Sequence, residues 1–149
     1  MKPKPVRWTL LATALVLALP ASGRAQGAGC VVAYVLDGDT FNCRNGTTVR
    51  LLGTDAPEGG RYGDASRRAL ATLLPVDSRV RLEFDGERTD SNGRALAYVH
   101  TDGKMVNLVM VRLGYAFYRP DPDHPLHAAQ LRAAEEEAKQ ARLGVWLKP

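Results

Sequence analysis

The sequence predicts an α+β fold, in which five strands form a small β-barrel and three helices pack against it. Three observations lead to this prediction. Apolar patterns follow the order strand, strand, strand, helix, strand, strand, helix, helix along the chain. Asp-Gly and Asn-Gly pairs separate the first three strands, as expected for antiparallel neighbours joined by tight turns. Closure into a barrel would remove the exposed edges that five strands in an open sheet leave.

The first three strands form a predicted meander. Residues 31–36 are an apolar run rich in β-branched side chains, which predicts a strand buried on both faces. The return strand is predicted over residues 40–43. A third strand follows over residues 47–53, after the Asn-Gly turn.

The rest of the chain alternates between helix and strand. A loop rich in Pro and Gly over residues 56–63 precedes a helix over residues 64–74. The later predicted elements are strands over residues 79–84 and 93–100, a helix from residue 106 to a Gly cap at residue 114, and a last helix from about residue 125. Mostly antiparallel pairing of five strands with packed helices favours an OB-type barrel.

The first 25 residues have the order of a secretory signal peptide. Residues 1–7 carry three positive charges, residues 8–19 are almost entirely apolar, and the small residues Gly23 and Ala25 precede the expected cleavage point. Twelve apolar residues are too few to span a membrane as a helix, which needs about 20. We therefore expect a signal peptide over residues 1–25 and one domain over residues 26–149, secreted or periplasmic and without a membrane segment. A lipid-anchored start at Cys30 is the alternative.

Charge gives no evidence about the substrate. The chain has 20 basic and 16 acidic residues, but four of the basic ones lie within the first 25 positions. The remaining 16 basic and 16 acidic residues cancel, so the mature domain lacks the basic excess typical of nucleic-acid binding.

Two cysteines lie on the two arms of the first predicted hairpin, at similar distances from its turn. In an exported protein, Cys30 and Cys43 would therefore form a disulfide. The alternative is one small apolar thiol on each strand.

Carboxylates follow two turns of the predicted meander. Asp37 and Asp39 lie at the first hairpin turn, and Asp55 and Glu58 follow the third strand. Each pair alone is explained by turn formation. Because the second and third strands pair, however, Asp39 and Asp55 are expected at the same barrel end, where two carboxylates suit Ca²⁺.

Two arginines are candidates for binding phosphate. Arg50 lies in the third strand, five residues before Asp55, and Arg94 opens the fifth. A guanidinium presents a planar fork that matches two phosphate oxygens. The alternative for each is an exposed barrel arginine.

Four short motifs resemble the staphylococcal nuclease family and occur in the family's order. They are VLDGDTF (35–41), VRLLGTDAPE (49–58), RTDSNGRALAYV (88–99) and DGKMVNLVMVRLG (102–114). The resemblance implies a five-stranded barrel with three helices, and Ca²⁺-dependent cleavage of DNA and RNA that leaves 3′-phosphate ends.

The resemblance also implies a metal site. Asp39 and Asp55 match the family's metal-binding carboxylates, and Ala56 occupies the position whose backbone carbonyl is a ligand. Asp37 matches an acid near the metal.

The same resemblance implies three catalytic residues. Glu58 matches a glutamate that acts as general base or orients the attacking water, and Arg50 and Arg94 match two phosphate-binding arginines. Tyr115 and Tyr118 have two open interpretations, stacking on a base or packing in the core.

Two histidines and an acidic run have further interpretations. His124 and His127 could bind a transition metal together, although histidines near a helix start are often simple surface residues. Glu135, Glu136 and Glu137 are expected on a solvated helix face, with Glu135 placed to pair with Lys139.

These observations predict an exported Ca²⁺-dependent nuclease that acts as a monomer on DNA and RNA. The alternative is a noncatalytic oligonucleotide-binding module, because one fold can serve both functions. A binding module has no need to keep all the predicted metal and catalytic residues, so the sequence favours the enzyme.

Overall fold

A computed structural model describes residues 28–147 as eight strands, three α-helices and one short 3₁₀ helix. The strands are β1 (Ala28–Val35), β2 (Thr40–Cys43), β3 (Thr48–Leu51), β4 (Thr54–Asp55), β5 (Arg79–Glu83), β6 (Ala95–Thr101), β7 (Lys104–Met105) and β8 (Phe117–Tyr118). The helices are α1 (Gly60–Leu73), α2 (Val106–Arg112), α3 (Ala128–Gln140) and the 3₁₀ helix Gly144–Trp146. The predicted signal peptide over residues 1–25 lies outside the described residues.

Five strands close into a barrel, as the sequence predicts. The order β3-β2-β1-β5-β6 is antiparallel throughout, and a parallel pairing between β3 and β6 closes it. The α+β class and the OB-type barrel with three packed helices are thus confirmed. Within residues 28–147, none of the helices combines the length and apolar character needed to cross a membrane.

The barrel interior and the inner faces of the helices share one core. Its buried members come from every barrel strand and from all three α-helices, and include Val32, Phe41, Val49, Leu70, Val99, Met110 and Leu131. Burying a side chain of this size stabilises the fold by about 1.5–3 kcal/mol. The core therefore holds the barrel ends, and the loops on them, in fixed positions.

The prediction that the first strand is buried on both faces is wrong. In β1, Cys30 and Val32 are buried, whereas Tyr34 is 52% exposed. Leu36, just after the strand, is 43% exposed. The register of β1 against β2 shifts between Val32 and Tyr34, so Tyr34 does not continue the buried face of Cys30 and Val32. An apolar run does not reveal such a bulge.

The predicted disulfide between Cys30 and Cys43 is present, and both residues are buried. It joins β1 to the end of β2 across 13 positions of the chain. In the chain-entropy model a loop of this size stabilises the fold by about 3 kcal/mol. The bond also fixes the two arms of the hairpin whose tip carries Asp39.

Several predicted boundaries differ from the structure; the first strand, for example, begins at Ala28 rather than at residue 31. The third strand ends at Leu51, and the chain continues after a turn as β4, which pairs with β8. Helix α1 begins at Gly60, inside the predicted loop, and α3 begins at Ala128. Helix α1 has a glycine at position 63, where a Cβ would stand only 2.9 Å from the carbonyl oxygen of Pro57. The glycine lets the helix begin directly against the loop that precedes it.

Candidate active site

A cleft of about 700 Å³ opens at one end of the barrel, between the β1–β2 hairpin, the loop after β4 and the residues before β6. The structure brings all the predicted site residues to this cleft. Its lining includes Asp37, Asp39, Arg50, Asp55, Ala56, Glu58 and Arg94. The carboxylates of the two predicted turns and the two predicted phosphate-binding arginines therefore line the same cleft.

Asp39 is the most buried carboxylate of the cleft, with only 6% of the residue exposed. Its Oδ2 accepts the backbone N–H of Ala56 at 2.7 Å, and its Oδ1 accepts the Thr40 hydroxyl at 2.9 Å. Burial raises the pKa of Asp39 above its usual value, although the Ala56 N–H and the Arg50 guanidinium oppose the rise. The side chain joins the hairpin tip to the loop after β4.

Arg50 lies between the two predicted metal carboxylates. Its Nη2 donates to Asp55 Oδ1 at 2.9 Å, and its Nη1 forms an ion pair with Asp39 Oδ2. The Nη1 contact is close but is not aligned as a hydrogen bond, so this buried nitrogen has no hydrogen-bond partner among the described residues. The Arg50 side chain is 14% exposed and the Asp55 side chain 44%. One guanidinium thus spans both acids.

The hairpin tip fits closely against its neighbours. A Cβ at Gly38 would stand 2.5 Å from the Cβ of Ser66 in α1 and 2.6 Å from the Cβ of Ala56. Asp37 accepts the backbone N–H of Asp39 at 3.0 Å, which is the local turn contact expected of an Asp at this position. The glycine and this turn hold Asp39 beside the Ala56 loop.

The donor set of the cleft fits a hard divalent cation. Asp39 and Asp55 offer carboxylate oxygens, and Ala56, whose backbone carbonyl is the third predicted donor, also lines the cleft. Neither imidazole nor thiol groups occur among the described residues that line the cleft. Oxygen donors without nitrogen or sulfur are the ligands that Ca²⁺ prefers. In this structure the Arg50 guanidinium forms ion pairs with both of these carboxylates, Asp39 and Asp55.

Glu58 lies on the exposed rim of the cleft, in the loop between β4 and α1. Within residues 28–147 its carboxylate forms neither an ion pair nor a side-chain hydrogen bond. A free carboxylate at this position is available to accept a proton or a hydrogen bond from water in the cleft.

Arg94 immediately precedes β6 and is held by a single acid. Its Nε donates to Asp90 Oδ2 at 2.8 Å, and Asp90 Oδ1 accepts the backbone N–H groups of Asn92 and Arg94 at 2.9 Å each. Partial burial raises the pKa of Asp90, but these hydrogen bonds lower it more, so the net value is below normal. The terminal nitrogens of Arg94 make no hydrogen bond to any described residue.

Sequence reasoning missed several charged residues that line the cleft, namely Asp64, Arg67, Asp90, Arg119 and Asp121. Arg119 follows β8, and its Nη1 lies 3.5 Å from Asp55 Oδ2. The pairing of β8 with β4 delivers it there, and strands of two residues have no periodicity to detect. Asp90 had a usable signal, since an Asp before Asn-Gly is typical of a turn whose side chain accepts backbone N–H groups.

Tyr115 and Tyr118 are both partly buried against the core, and neither lines the cleft. Tyr115 instead lines a second groove of about 400 Å³ between α1 and the 3₁₀ helix. In this structure, therefore, Tyr115 and Tyr118 pack against the core, and their positions do not favour stacking on a substrate base in the cleft.

The sequence left His124 and His127 open as a metal-binding pair or as surface residues, and the structure supports neither interpretation for His124. His124 is buried and its Nδ1 lies 2.8 Å from Asp121 Oδ2. His127 instead joins Glu83 and His100, which form a three-residue group that could hold a metal ion. This group lies outside the cleft, and the spacing of two histidines near a helix start could not reveal its long-range partners.

The solvated-face prediction holds for two of the three glutamates. Glu136 and Glu137 are exposed, whereas the Glu135 side chain is only 14% exposed. Glu135 pairs with Lys139 at 2.9 Å, as predicted, but it also accepts the backbone N–H of Tyr118 at 2.9 Å. It therefore ties α3 to β8, and through β8 to the strand that carries Asp55.

Comparison with known proteins identifies the family. The profile described as "Staphylococcal nuclease homologue" matches residues 48–148. The chain belongs to the staphylococcal nuclease family. The matched region contains Arg50, Asp55, Glu58 and Arg94 and begins after Asp39. The predicted class, a phosphodiester-hydrolysing nuclease, is confirmed with the family.

Relatives in the staphylococcal nuclease family align over most of the chain. It is 32% identical to thermonuclease of Staphylococcus intermedius, over 85% of this chain and 80% of the relative. It is 31% identical to micrococcal nuclease of Shigella flexneri, over 97% and 86%. It is 39% identical to endonuclease YncB of Bacillus subtilis (strain 168), over 76% of this chain and 59% of that protein.

Proposed function

We propose that this chain is an exported, Ca²⁺-dependent nuclease that hydrolyses the phosphodiester bonds of DNA and RNA and leaves 3′-phosphate ends. One observation carries the proposal. A single cleft gathers two carboxylates bridged by one guanidinium, a second guanidinium with free terminal nitrogens, and an unpaired carboxylate. These are the groups needed to hold a metal ion, bind a phosphate and activate water.

The metal ion is assigned to Asp39, Asp55 and the backbone carbonyl of Ala56. Ca²⁺ bound there would supply Lewis-acid polarisation of a phosphate oxygen and a site for water. The Ala56 N–H and the Thr40 hydroxyl orient the Asp39 carboxylate before any ion binds.

The two arginines are assigned to the phosphate. Negative charge grows on the equatorial oxygens of a phosphodiester as water attacks, and fixed donors aimed at those oxygens stabilise it. Arg94 can bind through its terminal nitrogens while Asp90 holds its Nε. Arg50 presents its donors from between Asp39 and Asp55. Removing one such donor typically costs about 10²–10³ in rate.

Glu58 is assigned as general base, or as the residue that orients the attacking water. A base must reach the proton it takes at about 2.6–3.2 Å, or through one further water. Glu58 lies on the rim without a competing partner, which leaves its carboxylate free to do so. General-base catalysis of this kind typically contributes 10²–10⁴ in rate.

Export is supported by two features. Residues 1–25 have the pattern of a secretory signal peptide, although they lie outside the described residues. The described domain contains a disulfide, which persists in oxidising compartments. We propose that the mature domain over residues 26–149 is secreted or periplasmic and acts as a monomer.

The second candidate function is a noncatalytic oligonucleotide-binding module, which the OB-type barrel allows. Digestion of single-stranded DNA by the mature protein, with Ca²⁺, with Mg²⁺ and with a chelator, separates the two. We expect cleavage with Ca²⁺ that stops on chelation. Binding without cleavage under every ion would favour the module, and cleavage that survives chelation would overturn the metal assignment.

Glu58→Gln gives the sharper test, because it removes the basic carboxylate and keeps the size of the side chain. We expect kcat to fall by roughly 10²–10⁴ with unchanged thermal unfolding. The matched control is Glu137→Gln, an exposed acid paired with Arg112 away from the cleft, which should leave kcat unchanged. Equal rates for the two variants would remove Glu58 from the mechanism.

A further inference from the structure

A second group of metal-ligating side chains lies outside the cleft. Glu83 ends β5, His100 lies on β6, and His127 immediately precedes α3. Their side chains are 28%, 20% and 17% exposed, so they are largely buried but still open to ions from solvent. The proposed nuclease mechanism uses none of the three.

Both imidazoles point to the same carboxylate oxygen. His100 Nε2 lies 2.6 Å and His127 Nε2 3.1 Å from Glu83 Oε2, and the three atoms lie within 4.8 Å of one another. Zn²⁺ binds nitrogen and oxygen at about 2.0–2.2 Å, which sets tetrahedral ligand atoms roughly 3.3 Å apart. Small side-chain rotations would therefore bring these three atoms to ligand spacing.

A side chain of α3 contacts the other ring nitrogen of His127. His127 Nδ1 lies 3.0 Å from Gln130 Oε1, while Nε2 faces Glu83. A hydrogen bond from the opposite ring nitrogen is the usual support of a metal-binding histidine. This contact holds the ring with Nε2 directed at the carboxylate.

The surroundings favour a cation. Among the described residues, neither Lys nor Arg lies within ion-pair distance of Glu83, whose partners are the two imidazoles. The ring of Tyr98 packs edge-on against His127 at 4.5 Å and limits its rotation.

We propose that Glu83, His100 and His127 form a second metal site, which binds Zn²⁺. Two imidazoles and one carboxylate suit a borderline ion, whereas the all-oxygen cleft suits Ca²⁺. A bound ion would join β5, β6 and the start of α3. Three protein ligands leave a coordination position for solvent.

The test titrates Zn²⁺ into the metal-stripped mature protein in excess Ca²⁺, by calorimetry and by metal analysis after dialysis. We expect one Zn²⁺ per chain, because both cysteines are in the disulfide and offer no competing thiol. At 100 times its Kd, Zn²⁺ should raise the unfolding midpoint by roughly 5–10 °C. Nucleic acid is absent, so the result is independent of the proposed nuclease activity.

Variants assign the binding to these residues. Glu83→Gln, His100→Gln and His127→Gln should each weaken Zn²⁺ binding by at least the roughly 10–100-fold that loss of a supporting partner costs. The controls are Glu137→Gln and His124→Gln, which changes the one histidine of the chain outside the proposed site. Both should bind Zn²⁺ as the parent does. Circular dichroism checks that each variant is folded.

Two results would overturn the proposal. One is the absence of Zn²⁺ binding to the parent protein, which would leave the three residues as a hydrogen-bonded group of the fold. The other is binding that survives in every folded variant of the three ligands.

Discussion

The two arginines of the cleft are held in different ways. Arg50 projects from a barrel strand, is 14% exposed and contacts two carboxylates, one of them buried. Arg94 lies in a turn, is 33% exposed and is held by Asp90 alone. The pKa of the partner carboxylate is raised at Asp39 and lowered at Asp90. We therefore expect Arg50 to contribute to the stability of the fold as well as to activity, and Arg94 to contribute mainly to activity.

The largest effect is expected from Arg50→Ala. Removing one partner of a buried ion pair leaves an uncompensated charge and costs about 3 kcal/mol or more of unfolding free energy. Activity should be lost as well, because a phosphate-binding donor is gone. Urea unfolding with and without Ca²⁺ measures the first effect, and added Ca²⁺ should restore part of the stability. Arg44→Ala, which removes an exposed arginine paired with Asp77, is the control. Equal stability of the two variants would contradict the comparison.

Arg94→Ala should separate activity from stability. We expect kcat to fall by about 10²–10³, with a change in unfolding free energy below about 1 kcal/mol, because the ion pair that is lost is partly exposed. Single-turnover cleavage and thermal unfolding measure the two quantities. Arg112→Ala provides an exposed arginine away from the cleft as reference. A folded Arg94→Ala protein with unchanged turnover would remove Arg94 from the catalytic set.

Asp90→Asn tests whether the turn positions Arg94. The amide has one acceptor oxygen in place of two and has lost the negative charge, so it cannot accept both the turn N–H groups and Arg94 Nε as Asp90 does. Misplacement of a catalytic group by about 1 Å can cost up to roughly 10²-fold. We expect a loss of kcat smaller than that of Arg94→Ala. Asp77→Asn, an exposed acid paired with Arg44, should have no effect on kcat.

The pH dependence of stability gives the smallest expected effect. The pKa of Asp90 is lower in the folded protein, so the folded state binds fewer protons and Asp90 stabilises it above the ordinary value of 3.8. This contribution is lost as the pH falls through the lower, folded value. The stability difference between the parent and Asp90→Asn should therefore shrink as unfolding is measured from pH 7 down to pH 3. A difference that stays constant would contradict the assignment.

The part of the cleft formed by the first three barrel strands was predicted well from the sequence. The hairpin turn before Asp39 and the pairing of β2 with β3 are local features, so the meeting of Asp39 and Asp55 followed from neighbouring strands. The disulfide followed from the same hairpin. Local pattern is enough where the partners are close along the chain.

Contacts between distant segments were not predictable. Arg119 reaches Asp55 through a pairing of two short strands, and Glu135 is buried by its contact with Tyr118. His127 meets Glu83 across 44 positions of the chain. The periodicity of these segments does not indicate such partners, because each contact arises only when elements distant in the chain pack together.

The parallel pairing that closes the barrel has a consequence for the spacing of the two cationic groups. Arg50 stands opposite Leu96, and Arg94 lies two positions earlier on the same face, about 6–7 Å along the strand direction. An antiparallel closure would have sent the turn before β6 to the far end of the barrel. The register of the β3–β6 pairing therefore sets the spacing between Arg50 and Arg94 along the strands. A single insertion between positions 94 and 96 would turn Arg94 away from the cleft while leaving its charge and its chemistry intact.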